Sequence, residues 1–331
     1  MAKYLVTGGA GFLGGYIVEE LLRRGEQVRI LDNFSIARRE SVRHLLKSVE
    51  VFEGDVRNYH NVREAVQGTG IIIHLAALSS VAGSLRDPLT MNDVNVTGTL
   101  NLLHAGKEEH VERLVFASSA SVYGDTNENP KHEDLAPRPQ NPFAVSKLAG
   151  EHYCQVFARA YGIQTIALRY FAVYGPGQDP KAPDAGAIPR FIRSILKGRP
   201  PRVEGDGRQT RDFIYISDAV DATLRAATYE CGFPAVLNCS TNNETSLNDV
   251  IALINRTYKS HCEPRYEAAR GGDIRRLAGS YQKIGSILGF KPAVPLEEGL
   301  KKTCQYYFDQ ASARLVESVP LQAQSKVSPY R

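Results

Sequence analysis

The glycines among residues 4–14 have the spacing of a phosphate-binding turn. Gly9, Gly11 and Gly14 satisfy the pattern G-x-G-x-x-G, and Gly8 with the last two satisfies G-x-x-G-x-x-G. Glycine permits a tight turn and a close approach of the backbone to a pyrophosphate, and the N-terminus of a following helix offers free N–H groups and a positive dipole. This stretch therefore predicts a binding site for a dinucleotide.

The segments after the glycines support this interpretation. An amphipathic helical pattern runs to Gly25, and residues 27–31 have the pattern of a strand that ends at Asp32. A carboxylate at that strand tip can accept hydrogen bonds from ribose hydroxyls, which favours NAD over NADP, although Arg38 and Arg39 lie nearby. A P-loop for nucleoside triphosphates is excluded, because no Lys-Ser/Thr pair follows the glycines.

A second group of polar residues follows the apolar run at residues 113–117. It comprises residues 118–121, three of which are serines, and an asparagine-proline pair then marks the start of a helix. Phe143 and Lys147 are four residues apart on that helix, so they share a face, which we expect to point toward the serines. Taken alone, a serine cluster after a strand is equally common in an ordinary loop.

These residues need a scaffold, and strand-like and helix-like segments alternate along the first half of the chain. Short apolar runs at residues 49–53 and 71–77 have the length of strands, the second buried on both faces. Strands and helices that alternate at these lengths require right-handed crossovers between parallel strands. This predicts an α/β fold with a Rossmann-like doubly wound parallel sheet. Ligands would then bind beyond the carboxyl ends of the strands. His74 lies inside its apolar run, so we expect it to be packed and not catalytic.

We expect the chain to divide into three parts. Residues 1–173 form the NAD-binding domain in this prediction. Residues 174–311 form mainly a smaller C-terminal α/β substrate-binding subdomain, from which some segments return to the first domain. Residues 312–331 are polar, and we expect them to form a mobile tail.

Composition excludes several classes of protein. The net charge of +4 is spread along the chain, which suits an anionic small molecule but is too weak to predict nucleic-acid binding. Apolar runs are too short to span a membrane, and the N-terminus enters a strand too directly to be a signal peptide. The five cysteines are scattered without a C-x-x-C pair, which indicates reduced thiols in a cytoplasmic protein and no metal site.

Ordered motifs along nearly the whole chain resemble the extended short-chain dehydrogenase/reductase family, and within it the nucleotide-sugar epimerases and dehydratases. The matching motifs are Thr7-Gly-Gly-Ala-Gly-Phe-Leu-Gly14, Asp55-Val56, His74-Leu-Ala-Ala77, Asn95-Val-Thr-Gly-Thr99, Ser119-Ala-Ser-Val-Tyr-Gly124, Arg169-Tyr-Phe171, Val173-Tyr-Gly-Pro176, Gly205-Asp-Gly207, Arg211-Asp-Phe213 and Gly272-Asp-Ile-Arg275. The resemblance implies that NAD is the cofactor and that a nucleotide sugar is the substrate.

The resemblance also implies roles for individual residues. A serine or threonine acts in the family with the tyrosine and lysine of a Y-x-x-x-K helix, and the matching positions are Ser119, Phe143 and Lys147. The implied cofactor contacts are Gly8, Gly11, Phe12, Leu13, Gly14, Asp32, Asn33, Asp55, Val56, Leu75, Ala76, Ala77, Asn95, Ser119, Lys147 and Phe171. The implied substrate contacts are Ser121, Ala172, Arg211 and Arg275, the two arginines facing the diphosphate.

Two positions depart from the family. Phe143 stands where the family has the tyrosine that removes the proton from a sugar hydroxyl, and phenylalanine has no proton to exchange. Ala172 stands where relatives usually carry an asparagine that touches the nucleotide sugar. Two explanations are open: a natural enzyme with altered chemistry, or an engineered or decayed active site.

The branch within the family is indicated by two stretches. Ala120 and Ser121 replace the Asp-Glu pair of the 4,6-dehydratases, which argues against dehydration. Residues 178–189 resemble the substrate loop of 4-epimerases for UDP-glucose or UDP-N-acetylglucosamine. The leading hypothesis is a UDP-glucose/galactose or UDP-GlcNAc/GalNAc 4-epimerase that works by transient oxidation at C4, in an active, inactivated or substrate-trapping form.

Alternatives to this hypothesis are a dehydratase or oxidoreductase of the same family, and a non-catalytic protein that binds a nucleotide sugar. The resemblance also implies a homodimer, in which helices near residues 88–107 and 142–161 pair into a four-helix bundle. The apolar residues of these helices could equally be buried within one monomer.

Overall fold

The computed structural model describes residues 3–37, 39–45, 47–182, 185–230, 234–269 and 274–317. The strands in these ranges are β1 (Tyr4–Thr7), β2 (Val28–Asp32), β3 (Glu50–Glu53), β4 (Ile71–His74), β5 (Arg113–Ser119), β6 (Gln164–Tyr170), β7 (Ala172–Tyr174), β8 (Arg202–Glu204), β9 (Thr210–Arg211), β10 (Phe213–Tyr215), β11 (Ala235–Cys239), β12 (Thr245–Ser246), β13 (Arg265–Glu267) and β14 (Arg276–Leu277).

The α-helices are α1 (Phe12–Arg23), α2 (Tyr59–Val66), α3 (Val81–Arg86), α4 (Pro88–Asn92), α5 (Gly98–Glu108), α6 (Pro142–Tyr161), α7 (Ala187–Leu196), α8 (Ile216–Thr228), α9 (Leu247–Tyr258), α10 (Gln282–Leu288) and α11 (Leu296–Glu317). Short 3-10 helices lie at Arg39–Val42 and Ala120–Tyr123, and a π-helical turn lies at Asp93–Thr97. None of the helices in the described ranges is long and apolar enough to cross a membrane.

A parallel sheet of seven strands forms the centre of the molecule. Its order is β3-β2-β1-β4-β5-β6-β11, with every neighbouring pair parallel. The order reverses at β1, so a crevice opens beyond the carboxyl ends of β1 and β4. The predicted α/β fold with a Rossmann-like doubly wound parallel sheet is confirmed.

Helices cover both faces of this sheet, and the strand residues alternate between the two. Val6, Ile30 and Ile73 lie in one apolar cluster, whereas their neighbours Leu5, Leu31 and Ile72 lie in the other. Successive strand residues point to opposite faces, so a strand buried on both sides must be apolar at every position. This is why the strands read as continuous apolar runs in the sequence.

The remaining strands form small sheets in the C-terminal half. β10 pairs with β7, β12 and β14 flank β9, and β13 pairs with β8. β11 lies in the same half of the sequence but joins the large sheet beside β6. The boundaries at residues 173 and 311 stay a prediction.

Several elements differ in detail from the sequence-based expectation. The single helix expected at residues 88–107 is α4, the π-helical turn and α5 in succession. Residues 312–317 of the predicted tail belong to α11, and residues 318–331 lie outside the described residues. Arg38, residues 183–184 of the predicted substrate loop and residues 272–273 of the last motif also lie outside them.

Candidate active site

The glycine turn between β1 and α1 is packed so closely against backbone that side chains at Gly8 and Gly14 would not fit. Gly8 has φ +69°, and a Cβ there would lie 2.8 Å from the Ala76 nitrogen. A Cβ on Gly14 would lie 2.2 Å from the Gly8 oxygen. Gly11 caps α1 without a side-chain hydrogen bond, so the first N–H groups of α1, including those of Phe12 and Leu13, face outward. The turn therefore fits a pyrophosphate.

Asp32 is fixed at the tip of β2 by the backbone around it. Its Oδ2 accepts a hydrogen bond from the Ala10 nitrogen at 3.0 Å, and its Oδ1 accepts one from the Phe34 nitrogen at 2.8 Å. Burial raises the pKa of this carboxyl, and the two backbone donors oppose that shift. The Arg39 guanidinium lies 4.5 Å from the centroid of the Phe34 ring and forms an ion pair with Glu53. Its charge is thus paired with Glu53 and not with the Asp32 carboxylate.

Two of the predicted cofactor residues, Asn33 and Asp55, belong to a second polar group. Asn33 donates through Nδ2 to Asp55 Oδ2 at 2.9 Å, and the Arg57 guanidinium contacts both oxygens of the same carboxylate. Arg57 is the main cause of the lowered pKa of Asp55. Val56 is buried against Gly98, where a Cβ would lie 2.6 Å from its Cγ2. This packing fixes the loop after β3.

The loop after β4 is positioned by Asn95. The Asn95 Oδ1 accepts from the Leu78 nitrogen at 2.8 Å, and its Nδ2 donates to the Leu78 oxygen at 2.9 Å and to Ser146 Oγ at 2.9 Å. Asn95 lies in the π-helical turn and is 2% exposed. Leu75, Ala76 and Ala77 thus lie in a loop tied both to the π-helical turn and to α6.

A buried hydrogen-bond chain runs under that loop through His74. Thr99 donates to the Asn95 oxygen at 2.6 Å, so its hydroxyl oxygen is left to accept from His74 Nε2 at 3.0 Å. Nδ1 is then the acceptor for Thr7, whose hydroxyl oxygen accepts in turn from the Ala76 nitrogen. Burial, followed by the nearby charge of Lys147, lowers the pKa of His74 to about 3. The imidazole is therefore a neutral bridge at physiological pH.

The serines and Lys147 meet at the carboxyl end of β5. Lys147 Nζ donates to the Ala117 oxygen at 2.8 Å, two residues before Ser119. Ser119 Oγ accepts from the nitrogen of Ser121 at 3.2 Å and from its Oγ at 2.9 Å. Because Ser119 accepts both of these bonds, its own proton remains available to a ligand.

Phe143 lies beside Lys147 one turn earlier on α6. Its ring is 7% exposed, and its centroid lies 6.0 Å from Lys147 Nζ. Nζ also lies 5.2 Å from the centroid of the Phe116 ring. Burial among these rings lowers the pKa of Lys147 to about 8. The structure thus brings the lysine, the phenylalanine and the strand that carries the serines together, with no phenol at position 143.

A buried ion pair behind the serines was missed in the sequence. Glu151 binds the Arg169 guanidinium through two hydrogen bonds of 2.8 Å and accepts from Ser118 Oγ at 2.5 Å. Arg169 also lies 4.6 Å from the centroid of the Tyr123 ring. Glu151 lies four residues after Lys147 on α6, but this spacing does not reveal that its partner is Arg169, on another element.

Apart from Ser121, the predicted substrate residues lie in the second half of the chain, as does the predicted cofactor residue Phe171. Phe171 is buried against Gly279, where a Cβ would lie 2.3 Å from its ring, and Ala172 begins β7. Arg211 Nη1 donates to two backbone oxygens. Arg275 is half exposed and binds both carboxylate oxygens of Asp206. Their roles in binding, like those of the predicted catalytic and cofactor residues, stay predictions.

Comparison with known proteins relates the sequence and the fold of this chain to a known family. A model of the NAD dependent epimerase/dehydratase family matches residues 4–239. The chain is 35% identical over 310 residues to the UDP-glucose 4-epimerase of Mycolicibacterium smegmatis, which covers 92% of this chain and 98% of that protein.

Two solved structures share the fold over nearly their whole length. UDP-glucose 4-epimerase from Thermotoga maritima, solved with UDP-glucose, is 34% identical with a TM-score of 0.89, covering 93% of this chain and 99% of that chain. A tyrosine-to-phenylalanine mutant of UDP-glucuronic acid 4-epimerase from Bacillus cereus, solved with UDP-4-deoxy-4-fluoro-glucuronic acid and NAD, is 29% identical with a TM-score of 0.87. It covers 93% of this chain and 99% of that chain.

Proposed function

Because the chain belongs to the NAD-dependent epimerase/dehydratase family, we propose that it is a UDP-hexose 4-epimerase that keeps NAD bound through each turnover. The observation that carries this proposal is the group at the end of β5, where Ser119, Ser121 and Lys147 lie together without a carboxylate pair. Interconversion at C4 needs no acid pair, because no water is eliminated. The earlier resemblance to this family is confirmed.

The residues of the site have separate tasks in this proposal. NAD, when bound, supplies a reversible hydride acceptor. Gly8, Gly11 and Gly14 hold its pyrophosphate, and Asp32 accepts hydrogen bonds from its ribose. Ser119 donates its remaining proton to the oxygen on C4 of the sugar, while Lys147 keeps the site positive.

Phe143 limits the rate in this proposal. A positioned general base contributes about 10²–10⁴-fold to a rate, and phenylalanine cannot serve as one. The ring keeps the volume of the family's tyrosine, so binding is retained while proton transfer is slowed. The proton of the C4 hydroxyl then has to pass to a water molecule, so we expect turnover to be slow.

A non-catalytic nucleotide-sugar-binding protein is the second candidate. It is favoured by the combination of Phe143 with Ala172, since each replaces a polar group that relatives use on the substrate. The tyrosine-to-phenylalanine mutant from Bacillus cereus, which was solved with NAD and a UDP-sugar analogue, is a relative in which such a change accompanies binding.

One substitution separates the two candidates. The unaltered chain and Phe143→Tyr are incubated with UDP-glucose, UDP-galactose, their N-acetyl forms and UDP-glucuronate, and the C4 epimers are followed by NMR. Slow conversion by the unaltered chain, accelerated about 10²–10⁴-fold by Phe143→Tyr, supports the epimerase. If only Phe143→Tyr converts the C4 epimers, the unaltered chain is the non-catalytic nucleotide-sugar-binding protein.

A control uses the same chemical change on the same helix. Phe157→Tyr adds a hydroxyl to another buried ring of α6, about four turns from Phe143. It should leave the rate unchanged. If neither the unaltered chain nor Phe143→Tyr converts any of these sugars, the proposed substrate class is wrong.

We further propose that the protein forms a homodimer in the cytoplasm. Support for the dimer comes from apolar side chains that stay exposed on α4 and α6, among them Leu89 at 77%, Val145 at 52% and Val156 at 56%. Support for the compartment comes from the cysteines, since Cys154, Cys239, Cys262 and Cys304 are all free thiols.

A further inference from the structure

A row of polar side chains crosses the large sheet behind the serines of the candidate active site. Ser118 on β5 is the register partner of Arg169 on β6, and Arg169 is in turn the register partner of Asn238 on β11. All three side chains are buried. Polar groups at such positions need hydrogen-bond partners, and here the partners come from α6 and from the turn after β5.

Glu151 of α6 joins the first two members of this row. Its Oε1 accepts from Ser118 Oγ at 2.5 Å and from Arg169 Nε at 2.8 Å, while its Oε2 accepts from Arg169 Nη2 at 2.8 Å. The helix comes close to β5 just before this point, since a Cβ on Gly150 would lie 2.3 Å from the Phe116 ring. One carboxylate therefore fixes α6 to two neighbouring strands.

Arg169 links this ion pair to the segment after Ser119. Its guanidinium lies 4.6 Å from the centroid of the Tyr123 ring, and the Tyr123 hydroxyl donates to Asn238 Oδ1 at 2.7 Å. Tyr123 is the last residue of the 3-10 helix that Ser119 caps. Ser119 thus lies between two fixed points, which are Ser118 directly before it and Tyr123 at the end of the turn.

The same ion pair also constrains Lys147. This lysine lies one turn before Glu151 on α6 and donates to the Ala117 oxygen, one residue before Ser118 on β5. Helix and strand are therefore joined at two consecutive residues of β5. These two bonds together set where Lys147 lies relative to Ser119.

The ion pair brings no net charge to the site. Burial alone would lower the pKa of Arg169, but the hydrogen bonds and the negative charge of Glu151 outweigh this effect and raise it. Arg169 therefore stays charged and cancels the charge of the carboxylate. Apolar residues of similar volume are often as stable as a buried ion pair, so stability does not account for this one. The two parallel hydrogen bonds instead fix the orientation of α6 on β6.

We propose that Glu151 and Arg169 are positioning residues of the candidate active site, which hold Ser119 in place relative to Lys147 without touching the ligand. Both side chains are almost completely buried behind the serines, so they act on the reaction only through the residues that they hold. The inference rests on the proposed function for the reaction in which Ser119 takes part, whereas the order of the 3-10 helix is measurable without any substrate.

The test replaces the whole group by apolar residues. A triple variant with Ser118→Ala, Glu151→Met and Arg169→Met leaves no charge or hydroxyl of the group unpaired, so its urea midpoint should be unchanged or higher. In the Phe143→Tyr background, its kcat for UDP-glucose should nevertheless fall about 10- to 100-fold, because misplacing a reacting group by about 1 Å has an effect of this size. KM should change by less than about twofold. An ion pair with a merely structural role predicts that a stable triple variant keeps its kcat.

A single hydroxyl gives a milder form of the test with a matched control. Ser118→Ala removes only the bond from β5 to Glu151 and should lower kcat about three- to tenfold. Thr165→Val also removes a buried hydroxyl that joins the sheet to α6, since Thr165 Oγ1 donates to the Cys154 oxygen at 3.0 Å. Thr165 lies near the amino end of β6, far along the strand from the serines, so this control should leave kcat unchanged.

Hydrogen–deuterium exchange gives a readout that needs no turnover. The amides of Ser121 and Gly124 donate to Ser119 Oγ and to the Ser121 oxygen. They should exchange faster in the triple variant and in Ser118→Ala than in the unaltered chain or in Thr165→Val.

Unchanged exchange at these two amides overturns the proposal, as does an unchanged kcat in a folded triple variant or an equal loss of kcat in Thr165→Val. If the triple variant does not fold, Ser118→Ala decides by the same two readouts. If neither the unaltered chain nor Phe143→Tyr converts a UDP-sugar, the proposed function fails, and exchange alone decides whether the ion pair holds Ser119.

Discussion

At the scale of the residue, the buried position of the Lys147 ammonium lowers the stability of the folded protein. Its ammonium is buried with the Ala117 oxygen as acceptor, and burial lowers its pKa to about 8 from an ordinary value near 10.5. Folding therefore disfavours the charged form, and the shift corresponds to about 3 kcal/mol of lost stability at pH 7. A residue that costs this much is expected where a positive charge serves a ligand.

Replacing Lys147 by methionine should accordingly stabilise the cofactor-free protein. We expect Lys147→Met to raise the free energy of unfolding at pH 7 by about 2 kcal/mol, after subtracting about 1 kcal/mol for the lost hydrogen bond. The unfolded lysine binds its proton up to a higher pH than the folded one. The advantage of the variant should therefore shrink as pH rises from 8 toward 10.5. Urea denaturation at pH 7, 8.5 and 10 measures it.

Lys131 provides a contrast for the same substitution. It is equally buried, but its Nζ donates to the oxygen and the hydroxyl of Thr126 and to the Glu128 oxygen. Lys131→Met leaves these acceptors without a partner, so it should destabilise the protein by about 2 kcal/mol or more. A loss of stability in Lys147→Met similar to that in Lys131→Met would contradict the account of Lys147.

Some residues of the candidate site could be recognised from the sequence, and others could not. The glycines and Asp32 were readable because their spacing is set by one turn and one strand. The cofactor role of Asn95 stays a prediction, and the sequence did not reveal that its carboxamide binds Leu78 and Ser146. Glu151 was not noticed, because its partner Arg169 is 18 residues away and lies on another element. Side-chain pairing across elements depends on three-dimensional packing, which spacing along the chain does not encode.

At the scale of the element, the small sheets of the C-terminal half depend on one buried carboxylate. Asp212 lies between β9 and β10 and accepts hydrogen bonds from the nitrogens of Thr241, Asn242 and Gly279 at 2.8–3.2 Å. These donors belong to the segments after β11 and β14. A single side chain therefore joins three stretches whose strands are only two to five residues long.

Replacing Asp212 by asparagine should loosen this half of the molecule. The amide retains one acceptor oxygen and turns an NH₂ group toward backbone donors, so we expect the free energy of unfolding to fall by about 2–4 kcal/mol. Asp206→Asn is the control, since that carboxylate forms an exposed ion pair, and its urea midpoint should not change measurably. Equal midpoints for the two variants would show that Asp212 has no such structural role.

The helices show a similar limit of sequence interpretation. The periodic apolar pattern at residues 88–107 predicts one continuous helix, but the π-helical turn at Asp93–Thr97 interrupts it. One extra residue in a turn rotates the helix that follows, and this brings Asn95 inward to meet the loop after β4. Helical propensity does not distinguish the two kinds of turn, so the sequence could not reveal the interruption.

At the scale of the whole molecule, the large sheet was predictable and the small sheets were not. Strand–helix alternation in the first half predicts one parallel sheet between layers of helices, and the structure has this sheet. β11 lies far along the chain, and its position beside β6 depends on contacts between distant segments. Strands of two or three residues carry too little periodicity to be recognised.

The proposed homodimer gives the last prediction. Leu89 is 77% exposed and Val156 is 56% exposed, on helices α4 and α6 that pack against each other. Covering them in a second copy would remove apolar surface from water, at about 25 cal/mol per Å². The protein should therefore sediment at twice its chain mass of 36.5 kDa, and Val156→Glu should shift it to the single-chain mass.

Tyr266→Glu, at a 51% exposed position on β13, is the control and should leave the dimer intact. A monomeric unaltered chain would show that there is no dimer. A Val156→Glu variant that stays dimeric would show that the interface lies elsewhere.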